Sequence, residues 1–222
     1  MESSPGPTRS SSLSKVRIVA LLALAAALVL LSVGAVFWMR PAPPVASVDS
    51  GVMRVPAGAA IGGPFQLVDQ NGRAVTEADF AGKFMLIFFG FTHCPDVCPT
   101  ELQVIANTMD VLGADGARVV PTFITVDPER DTPAQIKDYV AAFHPKMVGL
   151  TGTPDQIAAA AKAFKVYFNK QPNAGSPDDY QVDHTAFVYL MGPDGHLRSM
   201  FRNNASAEAI AGEIRAQLRQ SS

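Results

Sequence analysis

The chemistry of this chain centres on its two cysteines, Cys94 and Cys98. Thiolates are nucleophiles and also ligands for soft metal ions such as Cu(I). A step of four residues brings two side chains to one face of a helix. The three intervening residues also open the distance between the sulfurs, which suits a shared metal. In a loop the same spacing allows a local disulfide, so the pair alone leaves metal binding, thiol–disulfide exchange and a structural disulfide open.

The neighbouring residues predict where the two thiols lie. The apolar run Phe84–Phe89 has the composition of a buried strand, and Thr100–Leu112 carries apolar residues at helical spacing. The cysteines then occupy the loop between strand and helix, or the first turn of the helix. A helix N-terminus carries partial positive charge, which favours the ionised form of a thiol.

The later segments predict an α/β, thioredoxin-like fold. A second strand is expected at Val119–Val126, and two helices begin at capping-box sequences after Thr132 and Thr153. A turn at Gly192–Gly195 joins two further strands, and Ser206 caps a final helix. A strand–helix–strand unit followed by a hairpin and a helix is the thioredoxin arrangement, which keeps its redox cysteines after the first core strand.

An additional hairpin is predicted ahead of this core. In Phe65–Val75, Asn71-Gly72 is the residue pair typical of a two-residue type I′ turn. We expect this β-hairpin to be an N-terminal extension of the thioredoxin-like fold.

One of the four histidines is placed to complete a metal site that accepts Cu(I) or Cu(II). His184 precedes the strand predicted at 186–191, where a thioredoxin fold carries a proline that packs against its cysteines. His93 is adjacent to Cys94, so its side chain should diverge from the site, and the other two lie at a helix end and after a hairpin turn. We therefore predict Cys94, Cys98 and His184 as metal ligands. Asp183 is predicted to orient the His184 ring, with a simple capping role in its loop as the alternative.

The N-terminal segment has the features of a membrane anchor. Residues 18–39 carry no charge, and a helix of that length spans about 30 Å, enough to cross a bilayer core. Basic residues before the run favour a cytoplasmic N-terminus. A cleaved signal peptide is the alternative, but its apolar region would be only about 7–15 residues. We expect a cytoplasmic tail at 1–17, a single transmembrane helix at 18–39, a linker at 40–60 and the folded domain at 61–222.

The composition and the predicted anchor limit the possible partners and the possible compartment. The net charge of −2 gives no basic surface for nucleic acid. The alanine-rich anchor favours a bacterial inner membrane with the domain in the periplasm, and a mitochondrial inner membrane facing the intermembrane space is the alternative.

Three separated motifs resemble the Sco/SenC family. They are GFTHCPDVCP at Gly90–Pro99, VDPERDTP at Val126–Pro133 and VDHT at Val182–Thr185. The similarity covers residues 65–218 and implies a membrane-anchored, thioredoxin-like copper protein that helps to build the CuA centre of cytochrome c oxidase. In that pattern Cys94, Cys98 and His184 match the copper ligands.

The resemblance implies a metallochaperone rather than an enzyme. Its expected partners are the CuA subunit of the oxidase, an upstream copper donor and a thioredoxin-like reductant that keeps the cysteines reduced. A thiol–disulfide oxidoreductase that reduces the cysteines of the oxidase CuA site is the alternative function, and a peroxidase ranks last. The charged segment Asp127–Asp131 is expected to be a solvated loop, with a docking surface for the recipient as its alternative.

Overall fold

The computed structural model describes residues 21–22, 30–31, 50–55, 59–172 and 180–220. The predicted tail at 1–17 lies outside these residues, as do most of the predicted anchor at 18–39 and of the linker at 40–60. The chain divides into two compact units, Met1–Val48 and Asp49–Ser222. In the first unit the four described leucines are helical and exposed. Within the described ranges, no helix combines the length and the apolar character needed to cross a bilayer.

The second unit is built from strands and helices that alternate through its centre. The described strands are β1 (Val52–Arg54), β2 (Gln66–Asp69), β3 (Ala74–Thr76), β4 (Phe84–Gly90), β5 (Val119–Thr125), β6 (Val148–Thr151), β7 (Phe168–Pro172), β8 (Tyr180–His184), β9 (Val188–Met191) and β10 (Leu197–Phe201). The α-helices are α1 (Val97–Leu112), α2 (Pro133–Ala141), α3 (Pro154–Phe164) and α4 (Ala207–Gln220). Short 3-10 helices occupy Glu77–Phe80 and Gly113–Arg118.

Eight of the described strands form one sheet in the order β1-β10-β9-β4-β5-β6-β2-β3. Strands β4, β5 and β6 run parallel, and the other neighbouring strands in the sheet pair antiparallel. Every residue of β4 is buried, which is what a strand covered on both faces requires and explains its uninterrupted apolar sequence. Helix α1 packs on α4, and α2 packs on β6. The thioredoxin-like expectation is confirmed.

Several local predictions are confirmed at the level of single residues. Thr132 and Thr153 both form capping boxes, with Gln135 and Gln156 as their partners. Ser206 accepts a hydrogen bond from the N–H of Ala209, as an N-cap does.

Four strands were not predicted. Strand β6 lies between α2 and α3 and pairs in parallel with β5. Strand β1 lies in the segment assigned to the linker and pairs with β10, so the sheet takes in residues before 61. Strands β7 and β8 form a separate two-stranded sheet. Strands β1 and β6 are only three and four residues long and β7 is mostly polar, so their sequences carry little alternation of apolar and polar residues, whereas β8 does alternate.

The hairpin β2–β3 is confirmed, but its predicted turn is wrong. A type I′ turn needs positive φ at both central residues. Gly72 has a φ of 81°, whereas Lys165 is the only described residue other than glycine with a positive φ. The Asp69 carboxylate accepts the N–H groups of Asn71 and Arg73, and this longer turn places glycine at its left-handed position.

Candidate metal centre

The two thiols are arranged by the start of helix α1. Cys94 lies in a turn in which its N–H donates to the Phe91 carbonyl over 3.2 Å, and Cys98 lies on the first turn of the helix. The first N–H groups of a helix have no partner within the helix. Asp96, at the N-cap, makes no side-chain capping bond. Instead the Cys98 N–H donates to Cys94 Sγ over 3.4 Å, so the Cys94 sulfur acts as the acceptor that a capping side chain normally supplies.

His184 reaches the thiols from the end of β8. Its Nε2 lies 3.5 Å from Cys98 Sγ, although 86 residues separate the two in sequence. The rings of Phe88 and Phe91 meet the imidazole edge-on, with centroids 6.0 and 5.9 Å away. His184 Nδ1 lies 3.1 Å from the Thr185 carbonyl oxygen. Because a carbonyl can only accept, this contact places the proton on Nδ1 and leaves the Nε2 lone pair directed at the sulfurs.

The candidate ligand atoms form a compact triangle. The sulfurs of Cys94 and Cys98 and a ring nitrogen of His184 all lie within 4.8 Å of one another. Within the described part of the chain, this is the one group of His, Cys, Asp or Glu side chains close enough to hold a metal ion. Cys98 is fully buried, whereas Cys94 and His184 are half-buried. One side of the triangle is therefore open to an incoming ligand.

The two thiols differ in their readiness to ionise. The hydrogen bond from the Cys98 side chain is the main cause that holds the pKa of Cys94 well below its ordinary value. Burial opposes this shift, and backbone N–H groups support it. The same thiol–thiol hydrogen bond, together with burial, raises the pKa of Cys98. A metal ion that binds both sulfurs must displace both protons, so binding is coupled to release of the Cys98 proton.

Asp183 does not take the predicted position beside the His184 ring. Successive side chains on a strand point to opposite faces, and on β8 Asp183 is exposed while its neighbours turn inward. Its carboxylate accepts a hydrogen bond from the Gln171 side chain over 2.9 Å. The ring contact that the prediction gave to Asp183 is made by the Thr185 carbonyl.

His93 diverges from the sulfurs, as predicted. Its Nδ1 lies 3.1 Å from Thr92 Oγ1 and 3.8 Å from a carboxylate oxygen of Asp131.

A buried carboxylate, that of Asp131, accepts hydrogen bonds both from the loop that carries Cys94 and from the end of strand β5. Asp131 is fully buried. It accepts hydrogen bonds from the Thr92 N–H at 3.0 Å, the Thr92 hydroxyl at 2.6 Å and the Thr125 hydroxyl at 2.6 Å. Thr92 lies two residues before Cys94, so this carboxylate fixes the backbone from which the first sulfur projects.

A second set of contacts joins the buried Asp127, the half-buried Arg130 and the buried Tyr180. Arg130 donates to the Asp127 carboxylate and to the Tyr180 carbonyl, and its guanidinium lies 3.7 Å from the centroid of the Tyr180 ring. The Tyr180 hydroxyl donates to Asp127 over 2.6 Å. Tyr180 begins β8, so these contacts tie the strand that carries His184 to the loop after β5.

The expectation of a solvated loop at Asp127–Asp131 is wrong for two of its four charged residues. Asp127 and Asp131 are fully buried, while Glu129 is exposed and pairs with Lys170 over 2.6 Å. The sequence contained a signal for this burial, because the segment Asp127–Asp131 directly follows a predicted strand. In parallel strands the carboxyl ends share one edge, and the register pairs Gly90 with Thr125. The loops that follow β4 and β5 therefore lie side by side.

Comparisons with known proteins agree with this geometry. The family model of SCO1/SenC matches residues 54–219. The SCO1 homolog 1 of Arabidopsis thaliana mitochondria is 44% identical over 163 residues, covering 73% of this chain and 48% of that protein. The mitochondrial SCO1 homolog of Mus musculus is 45% identical over 161 residues, covering 72% and 56%. The chain thus spans about half the length of these relatives.

Solved structures of similar sequence share the fold. Arabidopsis thaliana ScoI with copper bound is 42% identical with a TM-score of 0.68, and the match covers 72% of this chain and 99% of that one. Bradyrhizobium japonicum ScoI with copper bound is 48% identical with a TM-score of 0.66, covering 71% and 99%. BsSco, described as a member of the Sco family of cytochrome c oxidase assembly proteins with a disulfide switch, is 28% identical with a TM-score of 0.55, covering 71% and 92%. The chain belongs to the SCO1/SenC family.

Proposed function

We propose that this protein is a membrane-anchored copper metallochaperone. It binds copper through Cys94, Cys98 and His184 and delivers it for assembly of the CuA centre of cytochrome c oxidase. The observation that carries the proposal is the convergence of two sulfurs and one ring nitrogen within 4.8 Å of one another. Copper-bound relatives with 42% and 48% identity support the choice of metal.

The donor set fits copper as a cargo. Two thiolates are soft ligands that favour Cu(I), and an imidazole accepts either Cu(I) or Cu(II). The contact between His184 Nδ1 and the Thr185 carbonyl presents the free Nε2 to the sulfurs. Cys94 is half-buried, so a recipient's ligand can approach the site at its open side and take the metal by exchange.

The anchor and the partners belong to the same proposal. Residues 18–39 hold the protein in a bacterial inner membrane, residues 1–17 remain in the cytoplasm, and the folded domain lies in the periplasm. The recipient is the CuA subunit of the oxidase, with a separate copper donor upstream. Oxidation of Cys94 and Cys98 to a disulfide would consume both thiolates, so a thioredoxin-like reductant is required to restore them.

A transfer experiment tests delivery directly. The full-length protein is reduced, loaded with copper and mixed with a copper-free, reduced CuA domain, and the visible absorption of the CuA centre is followed. Appearance of this absorption, with matching loss of copper from the donor protein, is the expected result. A copper-loaded protein that never yields the CuA spectrum, while free copper does, would contradict the delivery role.

A thiol–disulfide oxidoreductase is the second candidate. It is favoured by the unequal thiols, because the half-exposed Cys94 has a lowered pKa and the buried Cys98 lies next to it. Such a pair suits a nucleophile and a resolving thiol. In this case the protein would reduce an oxidised CuA domain without copper, and replacing His184 by alanine would leave the electron exchange nearly unchanged.

A further inference from the structure

The strand that carries His184 belongs to a two-stranded ribbon outside the main sheet. Among the described strands, β7 and β8 pair only with each other. The pairing places Phe168 opposite His184 at one end of the ribbon, and Tyr180 lies at the other end. The chain enters β7 from α3 and continues from His184 into β9 of the main sheet, so the backbone joins the ribbon to the domain at the His184 end. The position of the Tyr180 end therefore depends on side-chain contacts.

Arg130 makes the contacts at the Tyr180 end of the ribbon. Its Nη1 donates to the Tyr180 carbonyl over 3.1 Å, and its guanidinium carbon lies 3.7 Å from the centroid of the Tyr180 ring. The same guanidinium pairs with Asp127, which also accepts the Tyr180 hydroxyl at 2.6 Å. Because alternate side chains of a strand share a face, Tyr180, Val182 and His184 all lie on the inward face of β8. Arg130 therefore holds one end of the face whose other end is the imidazole.

Arg130 also contacts the aromatic ring against which His184 packs. Its guanidinium carbon lies 5.9 Å from the centroid of the Phe91 ring. The Phe91 ring in turn meets the His184 imidazole edge-on, at a centroid distance of 5.9 Å. A single aromatic ring thus separates the guanidinium of Arg130 from the imidazole.

A contribution to stability alone does not account for Arg130. Its side chain is 19% exposed, and within the described residues its Nη2 is buried without a hydrogen-bond partner. A buried donor that lacks an acceptor is destabilising. Buried ion pairs often add little net stability, and in some proteins they select one arrangement of the chain. The contacts of Arg130 suit a role in positioning better than a role in stability alone.

The loop that carries Arg130 also holds the segment that carries the thiols. Asp131, the next residue, accepts hydrogen bonds from the N–H and the hydroxyl of Thr92, two residues before Cys94. Two adjacent residues of one loop thus contact the two halves of the candidate metal centre. Asp131 holds the segment that leads to Cys94, and Arg130 holds the strand that ends at His184.

We propose that Arg130 is a positioning residue that orients His184 toward the two sulfurs. The proposal rests on the proposed metal site. A ribbon joined to the domain at one end can tilt, and a tilt turns the imidazole at that end. By holding Tyr180 at the other end and the Phe91 ring beside the imidazole, Arg130 opposes this tilt. Residues that orient a metal ligand without binding the metal contribute about 10–100-fold to metal affinity.

The first test compares the Cu(I) affinity of the wild-type protein, Arg130→Lys and Arg198→Lys, all as full-length chains. Lysine keeps the positive charge but cannot donate to a carbonyl and stack flat on a ring at the same time. Arg198 is the matched control, because it likewise pairs with a carboxylate, that of Asp194, and donates to a carbonyl, that of His196. We expect Arg130→Lys to lose about tenfold in affinity, measured by competition with a chromophoric chelator, and Arg198→Lys to lose less than about twofold.

A double-mutant cycle asks whether Arg130 acts through His184. Arg130→Lys is made in a His184→Ala protein, which lacks the imidazole. If Arg130 acts by orienting this ring, the two losses are not additive, and Arg130→Lys costs less than about twofold in the second background. The same tenfold loss in both backgrounds would show that Arg130 supports the fold in general and would overturn the inference.

A third measurement does not use copper. The rings of Phe88 and Phe91 lie edge-on to the imidazole in the copper-free protein, so the NMR shifts of the His184 ring protons report where the imidazole lies. We expect these resonances to move in Arg130→Lys and to keep their wild-type positions in Arg198→Lys. Tyr180→Phe removes only the hydroxyl at the far end of the ribbon. It should move the same resonances by less, and it replaces Arg130→Lys if that variant does not fold.

The outcomes distinguish this inference from the proposed function. Failure of the wild-type protein to bind copper would contradict the metallochaperone, whereas the His184 resonances of the copper-free protein would still test the position of the imidazole. If Arg130→Lys and Tyr180→Phe both keep the wild-type resonances and the wild-type affinity, Arg130 does not position His184 and the inference is wrong.

Discussion

Cys98 Sγ and His184 Nε2 lie 3.5 Å apart across 86 residues of sequence. The first residue is on the opening turn of α1 and the second ends β8, so neither element by itself creates the site. Two atoms that each lie about 2.0–2.3 Å from one metal ion are farther from each other than from the ion, so this separation would leave room for an ion between them and Cys94 Sγ. Because the two sulfurs and the ring nitrogen already lie within 4.8 Å of one another, binding of copper requires adjustment of these side chains and no rearrangement of the fold.

Replacing His184 by alanine should weaken copper binding far more than replacing His93. His184 supplies the ring nitrogen of the triangle, whereas His93 turns toward Thr92 and Asp131. We expect His184→Ala to lose at least a hundredfold in affinity and His93→Ala to lose less than threefold, as measured by chelator competition. Comparable losses in the two variants would show that His184 is not a ligand.

Replacing Asp131 by asparagine should destabilise the protein. Three donors from Thr92 and Thr125 converge on this fully buried carboxylate, and an amide offers only one acceptor oxygen. The expected loss is about 2–3 kcal/mol in the free energy of unfolding, measured with urea. Glu129→Gln is the matched control in the same loop, since Glu129 is exposed, and it should change stability by less than about 0.5 kcal/mol. Equal losses of stability in the two variants would contradict the role of Asp131 in holding the loop that carries Cys94.

Replacing Gly90 by alanine should disturb the thiol site directly. The added carbon would lie 2.8 Å from Cys98 Sγ and 2.9 Å from Phe88 Cε1. Such overpacking costs about 1–3 kcal/mol and moves the sulfur, so both stability and copper affinity should fall. Gly212→Ala is the control, because an added carbon there meets no atom within 4 Å and alanine is the better helix former. A Gly90→Ala protein with wild-type stability and affinity would refute this account of the packing.

Glu101 should make stability depend on pH. Burial raises the pKa of this carboxyl to about 7 in the folded protein. Between the ordinary pKa of about 4.5 and pH 7 the folded form holds the extra proton, so stability falls as pH rises through this window and levels off above it. Glu101→Gln should remove this slope and stabilise the protein by about 1–2 kcal/mol at pH 8, after allowance for solvent screening. Urea unfolding of the reduced, copper-free protein at pH 5 and pH 8 measures it, and an identical slope in both proteins would contradict the assignment.

Much of the fold could be predicted because it depends on sequence patterns among residues that are close in the chain. The apolar run of β4 and the capping boxes at Thr132 and Thr153 depend on residues close in sequence, and each was found at or within a few residues of its observed place. The short strands β1, β6, β7 and β8 were missed. Each is stabilised mainly by a partner elsewhere in the chain, and no local pattern records that partner.

The candidate site, too, could be predicted only in part from the sequence. The sequence by itself determined that two thiols follow a buried strand at the start of a helix, and the order of strands made His184 the histidine expected nearest to them. Only the tertiary structure decided that the Thr185 carbonyl rather than Asp183 contacts the His184 ring. It also decided that Asp131 is a buried acceptor rather than a solvated charge. The physical reason is that spacing fixes which side chains share an element, while burial and hydrogen-bond partners depend on how distant elements pack.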